Sequence, residues 1–376
     1  MKLSDTKKKI FFLTTVNAFV RAIGLAMRVW TSRMLGAEIV GIMELAQSVH
    51  MASIAPLTSG FPAAVSRLTA KEHSEKSSAI LYSGIYLVRR LAFFIIPFLW
   101  IFSPTIARWI GEARVLPSLW ISSPCILILG YSAVYNGYCY GMEKSEIPAF
   151  SELIEQIIRV LLTIFLLTKL RFLTPAWSAA VPAFSTMMAE AIGLWYVARK
   201  FVIKTTQPVS TDYTRAIFHL AAPATLSRVL QTLTRSITGI IIPLRLQASG
   251  LASGQATSQL GMLNGMVAPI LMIPNIFTSA ISMVLIPKIV KAEEKPSELG
   301  RLFKISLFST IPLSLMCALM VYKFSPVISN RLFRQSELTG LFQKSVWQII
   351  LFPLIHLTGN MLSSLLQLWK AVNLPL

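Results

Sequence analysis

The chain has 376 residues, 54% of them apolar and only 14% charged, with a mean hydropathy of +0.64. A water-soluble domain carries about 25% charged residues, so this composition excludes one and predicts a polytopic membrane protein. The formal charge of +19 sits in short loops between apolar runs, not on one soluble face, which argues against a nucleic-acid partner.

Apolar runs of about 20 residues predict membrane-spanning helices. About ten are legible in chain order: 10–34, 39–64, 79–102, 119–140, 153–170, 176–197, 216–244, 261–286, 302–322 and 346–368. The first is too long and too arginine-rich for a cleavable signal sequence and is expected to persist as a helix. It carries Arg21 and Arg28, seven residues apart and so on one helical face. Glu44 stands a few residues into the second run, where it is expected to neutralise Arg28 or to protonate as part of ion coupling. The third carries the adjacent pair Arg89 and Arg90, whose side chains point about 100° apart on a helix, so both do not readily face one cavity and one is expected to pair with Glu190 or Glu44. In the fifth, Glu155 and Arg159 have the i, i+4 spacing of an ion pair. Glu152 and Glu190 are further acids at this depth.

The seventh run repeats the seven-residue arginine spacing with Arg228 and Arg235. After it, the uncharged Ser/Gly-rich stretch 246–260 is expected to be a flexible hinge or cover, or a plain connector. Pro269 and Pro274, five apart in the eighth run, predict bends that serve as a hinge. The isolated histidines His50, His219 and His356 and the cysteines Cys125, Cys139 and Cys317 have no ligand spacing and read as packing residues.

Away from the run ends, where Arg33, Lys169 and Lys304 stand, these runs hold seven arginines, Arg21, Arg28, Arg89, Arg90, Arg159, Arg228 and Arg235, and no lysine. A charge near the bilayer centre is costly and usually faces a protein interior or a wet pathway. A guanidinium, moreover, forks onto phosphate oxygens in a way an ammonium does not. The pattern predicts a membrane-embedded cavity for an anion. Lys and Arg in alternate loops total 18 on the N-terminal side and 10 on the other, so the N-terminus is expected in the cytoplasm.

The first and seventh runs match as VRAIGLAMR and SRVLQTLTR, and the segments after the second and eighth as AVSRLTAKEH and LIPKIVKAEE. This predicts an all-α protein of two pseudo-symmetric six-helix lobes, 1–205 and 206–376, with substrate held between them. Pro148, before the fifth run, aligns with Pro375, so the second lobe is expected to be incomplete and the chain truncated.

The stretches GYCYGMEKSEIPAFSELIEQIIRV and TLSRVLQTLTRSITGIIIPLRLQASGL, with TSRMLGAEIVGIM and GFPAAVSRLTAKE nearer the start, resemble the stage V sporulation protein B group. That group belongs to the polysaccharide-transport branch of the multidrug/oligosaccharidyl-lipid/polysaccharide (MOP) exporter superfamily. The resemblance implies a MATE-like fold and a flippase of lipid-linked oligosaccharides or peptidoglycan precursors in the bacterial plasma membrane, serving cell-envelope or spore-cortex polysaccharide synthesis. It also implies a central cavity lined by arginines. Arg21, Arg28, Arg228 and Arg235 are then candidate contacts for a polyprenyl diphosphate, whose charge spreads over several oxygens. Glu44, Glu155 and Arg159 are candidates for ion pairing or for coupling to H+ or Na+.

No GxxxxGK[ST], HExxH or GxSxG motif occurs. Neither an enzyme activity nor a cofactor is expected, and transport must draw on an ion gradient, the membrane potential or another protein. Two other function classes compete. A drug/cation antiporter of the same superfamily calls for a net acidic cavity, whereas the runs hold seven Arg away from their ends against Glu44, Glu155 and Glu190, with Glu152 at the edge of the fifth. The other is a non-transporting remnant or scaffold acting around the same lipid carriers.

Overall fold

A computed structural model describes residues 3–72, 74–170, 172–201, 209–275, 296–355 and 357–358. All regular elements among them are helices: α1 (Leu3–Thr58), α2 (Phe61–Lys71), α3 (Ser74–Ile110), α4 (Leu116–Ser122), α5 (Cys125–Gly141), α6 (Glu146–Lys169), α7 (Pro175–Lys200), α8 (Thr211–Ala248), α9 (Ser253–Leu260), α10 (Ala268–Leu271), α11 (Pro296–Val327), α12 (Leu338–Ser345) and α13 (Gln348–Ile355). The chain divides into two compact units, Met1–Gly261 and Met262–Leu376.

In the first unit, α1 is two helices meeting at Gly36, whose φ of 78° and ψ of 169° break the helical path. A residue without Cβ takes that conformation at little cost, and it separates the first two apolar runs. The second run is expected to continue unbroken to 64, but the helix stops at Thr58. Ser59 Oγ donates back to the Ala55 carbonyl at 2.7 Å, and the Gly60 N–H donates to Thr225 Oγ1 of α8 at 3.2 Å. Pro62 then stands in the first turn of α2, where its missing N–H has no helical partner to lose.

The fourth run is α4 and α5, bent by 43° across Ser123 and Pro124. The proline removes a helical donor, and Trp100 Nε1 of α3 donates to Ser123 Oγ at the bend. The stretch 246–260 is not an open connector. α8 runs to Ala248, a short turn passes through Gly250, and α9 resumes at Ser253, whose Oγ donates to the Gly111 carbonyl at 3.1 Å. A tertiary partner of that kind leaves no mark in local composition.

Ile42, Leu45 and Leu57 of α1, Val88 of α3, Leu119 and Ile126 of the bent pair, Ile217 of α8 and Leu260 of α9 form the core of this unit. Outside it, α3 presents Phe93, Phe94, Phe98, Ile101 and Trp109, each more than half exposed. That surface suits lipid, whose tails are as apolar as the side chains they meet.

In the second unit, α10 carries Pro269 in its first turn and follows a π-helical stretch, Gly261–Val267. Met272 and Ile273 turn before Pro274. The eighth run is therefore irregular where its two prolines stand. α11 passes into a π turn, Ile328–Phe333, closed by Arg334 in the left-handed region at φ 59°.

Ser77–Ile110 and Lys304–Phe333 are each long and apolar enough to cross a membrane. Two bent pairs, Ala113–Ser122 with Cys125–Gly141 and Leu338–Ser345 with Gln348–Ile355, bring the number among the described residues to four if each is one broken span. Among the described residues, length and composition thus single out fewer spans than the roughly ten expected from the apolar runs. The eighth and tenth runs extend beyond Asn275 and Thr358 outside the described residues, as do His356 and Pro375.

Candidate functional site

Residues of α1, α4, α5, α6 and α7 line a partly open cavity of about 430 Å³. Its wall includes Arg28, Glu44, His50, Gln156, Arg159 and Glu190, among mostly apolar and small neighbours. α1 reaches the cavity with both halves because the break at Gly36 turns the second half back beside the first. Arg28, sixteen residues before Glu44, thereby donates from Nη2 to its Oε1. The carboxylate compensates a charge that would be costly alone at this depth.

Arg159 of α6 donates from Nη2 to Glu190 Oε1 of α7 at 2.9 Å and from Nη1 to Gln156 Oε1 at 3.1 Å. Sequence spacing predicts Glu155 as its partner, and the structure corrects this. Glu155 accepts from Ser151 Oγ at 2.7 Å and lies against Gly193, where a side chain on α7 would take its space. A same-helix pair at i, i+4 is worth only about 0.2–0.5 kcal/mol, so a carboxylate on the facing helix readily claims the guanidinium.

Gln156, Arg159 and Glu190 also line a second cavity of about 290 Å³, together with Asn136, Glu152 and Glu155. The Arg159–Glu190 pair is therefore common to both. The first cavity is balanced, with Arg28 and Arg159 against Glu44 and Glu190. The second holds three glutamates and one arginine. His50, 6% exposed, lines the first, and its Nδ1 has no hydrogen-bond partner among the described residues. The sequence marks Glu190 only as an acid within a run and a partner for Arg89 or Arg90, and His50 only as a packing residue, since neither position reports which helix faces it.

Of the four arginines expected in one chamber, Arg28 lines the first cavity. Arg21 on α1 and Arg228 and Arg235 on α8 are exposed and line neither cavity. α8 packs on the second half of α1, where Ser236 Oγ donates to the Ser48 carbonyl at 2.7 Å. All residues lining the two cavities come from between 20 and 190.

A polar cluster ties together the end of the bundle next to the Gly36 break. Arg114 donates from Nε and Nη2 to the two carboxylate oxygens of Glu112, at 2.7 and 2.6 Å, and from Nη1 to Glu38 Oε1 at 2.6 Å. Glu112 also accepts from Thr257 Oγ1 at 3.2 Å and from Ser253 Oγ at 3.3 Å, both on α9. Burial pushes its carboxyl up, but the hydrogen bonds from the Arg114 side chain and backbone and from Thr257 outweigh burial and hold it below the usual carboxylate range. Beside this cluster Gly41 meets the Thr257 backbone with no room for a side chain, so α1 and α9 touch main chain to main chain.

The family described as polysaccharide biosynthesis protein matches residues 6–293. Stage V sporulation protein B of Bacillus subtilis (strain 168) is 25% identical over 303 residues, which cover 77% of this chain and 58% of that protein. The chain thus spans a little over half the length of this curated relative. Among solved structures it is similar to the lipid II flippase MurJ in an inward closed conformation, with a TM-score of 0.75 at 16% identity over 94% of this chain and 76% of that one. It is also similar to the inward-facing conformation of a multidrug resistance MATE family transporter of the MOP superfamily, with a TM-score of 0.68 at 17% identity over 94% and 84% of the two chains. The shared fold is the all-helical, multi-pass membrane bundle of these transporters.

Proposed function

The chain belongs to the polysaccharide biosynthesis protein family, and from that premise we propose that it flips a polyprenyl-diphosphate-linked saccharide or peptidoglycan precursor across the bacterial plasma membrane by alternating access. The observation that carries this reading is Arg28 in the wall of a cavity within a membrane bundle, held by a carboxylate that a stronger anion can displace. A diphosphate accepts guanidinium hydrogen bonds as a carboxylate does and offers more oxygens.

In this scheme the two lobes are 1–205 and 206–376, and the N-terminus is cytoplasmic, as the loop charges support. Arg21, Arg228 and Arg235 add contacts to the diphosphate as the lobes rearrange, with Pro269 and Pro274 as the hinge of the eighth run. Glu44, released from Arg28, takes up a proton or meets Na+, so that charge inside the bundle stays balanced and transport is coupled to the ion. The cluster of Glu38, Glu112 and Arg114 with α9 is the outer seal. Hydrogen-bonded contacts of this kind are what a rocking transition must break and remake.

A second reading has its own support. Glu152, Glu155 and Glu190 around a single Arg159 favour a cation in the smaller cavity, which suits a drug/cation antiporter of the same superfamily. Translocation of a fluorescent polyprenyl diphosphate saccharide in proteoliposomes separates the two. The wild-type chain is expected to carry it and the Arg28→Ala/Arg235→Ala variant to lose it. Wild-type turnover in that variant removes the diphosphate clamp, and uptake of a lipophilic cation in place of the diphosphate lipid establishes antiport.

A further inference from the structure

Arg89 and Arg90 line neither cavity, and the acids Glu44 and Glu190 are engaged by Arg28 and Arg159. Among the described residues neither arginine makes an ion pair, although the Arg89 guanidinium lies 5.9 Å from the centre of the Tyr86 ring. Both are exposed, and they mark a change along α3. Every residue in 77–88 is buried or half-buried, whereas beyond Arg90 the helix exposes Phe93, Phe94, Phe98, Ile101 and Trp109.

The axial distances are informative. At 1.5 Å per residue, Arg89 and Arg90 stand about 30 Å from Trp109, the thickness of a bilayer's hydrocarbon core. With Trp109 at one interface, where tryptophan is enriched, both guanidiniums, which the third run 79–102 places inside the membrane, fall instead at the headgroup level of the opposite leaflet. The groups they meet at that level are lipid phosphates, onto whose oxygens a guanidinium forks. The rings of Phe93 and Phe94, 5.6 Å apart edge to face, lie one turn deeper, beside the acyl chains.

We propose that Arg89 and Arg90 form a binding site for the phosphate of an anionic diacyl phospholipid of the bilayer, a lipid retained by the protein and distinct from any transported one. Side chains about 100° apart on the helix reach a headgroup from two sides. A zwitterionic headgroup brings its own cation and gains less. The separation of this face from both cavities assigns the site to bilayer lipid.

Native mass spectrometry of protein taken from vesicles of equal phosphatidylglycerol and phosphatidylcholine tests the site. Each arginine at an anionic surface favours the anionic lipid about fivefold, so the wild-type chain is expected to retain phosphatidylglycerol preferentially and Arg89→Gln/Arg90→Gln to return to the ratio of the vesicle. A wild-type ratio equal to the vesicle, or an unchanged preference in the variant, overturns the proposal. Loss of the preference in Arg28→Ala overturns it too, because the retained lipid then belongs to the cavity. Should the double variant fail to fold, a photocrosslinker in place of Phe94, with both arginines intact, is expected to label phosphatidylglycerol over phosphatidylcholine, and equal labelling rejects the site.

Discussion

Arg114 grips both carboxylate oxygens of Glu112, at 2.7 and 2.6 Å, while α9 reaches the same carboxylate through Thr257 and Ser253. One buried acid, 4% exposed, thus joins the start of the second half of α1, the loop after α3 and α9. Removing the guanidinium leaves that charge uncompensated, at a cost of about 3–5 kcal/mol. Arg114→Ala is therefore expected to lower the melting midpoint and to expose the buried Ala256 position. With Cys125, Cys139 and Cys317 replaced, Ala256→Cys should react with a membrane-impermeant maleimide only when Arg114 is absent. Equal reactivity in both backgrounds shows that the seal does not depend on the fork.

Acidity acts on the same cluster. The folded carboxyl of Glu112 lies below its usual range, against about 4.3 for an unperturbed glutamate. A depressed carboxyl contributes stability that is complete above the unfolded value and lost as pH falls through the folded one. Midpoint and seal are expected to stay level from pH 8 to about 5 and to fall below about 4, while Glu112→Gln shows no such step. Arg114 stays charged throughout, and Glu38, 46% exposed, is the other acid on its guanidinium. The same acid step in Glu112→Gln transfers the response to Glu38.

Substrate must compete with Glu44 for Arg28. Losing charge-assisted hydrogen bonds worth about 1.5–3 kcal/mol, Arg28→Ala is expected to weaken binding of a diphosphate lipid by about 10- to 100-fold. Glu44→Gln removes the competitor and should tighten binding while uncoupling transport from the ion gradient. A Glu44→Gln variant that binds as poorly as Arg28→Ala makes the pair a structural brace.

Double-mutant cycles decide between the two acids near Arg159. Coupling of about 0.5–3 kcal/mol is expected for Arg159 with Glu190, as for residues in direct contact. Arg159 with Glu155 should show less than 0.5 kcal/mol, the upper limit for a same-helix pair. A larger value for Glu155 contradicts the hydrogen bonding seen between α6 and α7.

The sequence by itself determined the helical membrane class, the approximate course of the apolar runs, the kinship carried by IEQIIR and IPLRLQASG, and the pairing of Arg28 with Glu44 as one option for that acid. These follow from composition, helical periodicity and local spacing. Only the tertiary structure decided that Arg159 turns to Glu190 and away from Glu155, that 246–260 is mostly helix, and that Glu112, an unremarked loop acid, gathers five donors. Each outcome depends on which helix faces which across the bundle. Spacing along one helix is blind to that, because its repeat is set by the chain's own 3.6-residue turn while the partner arrives from residues tens to more than a hundred positions away.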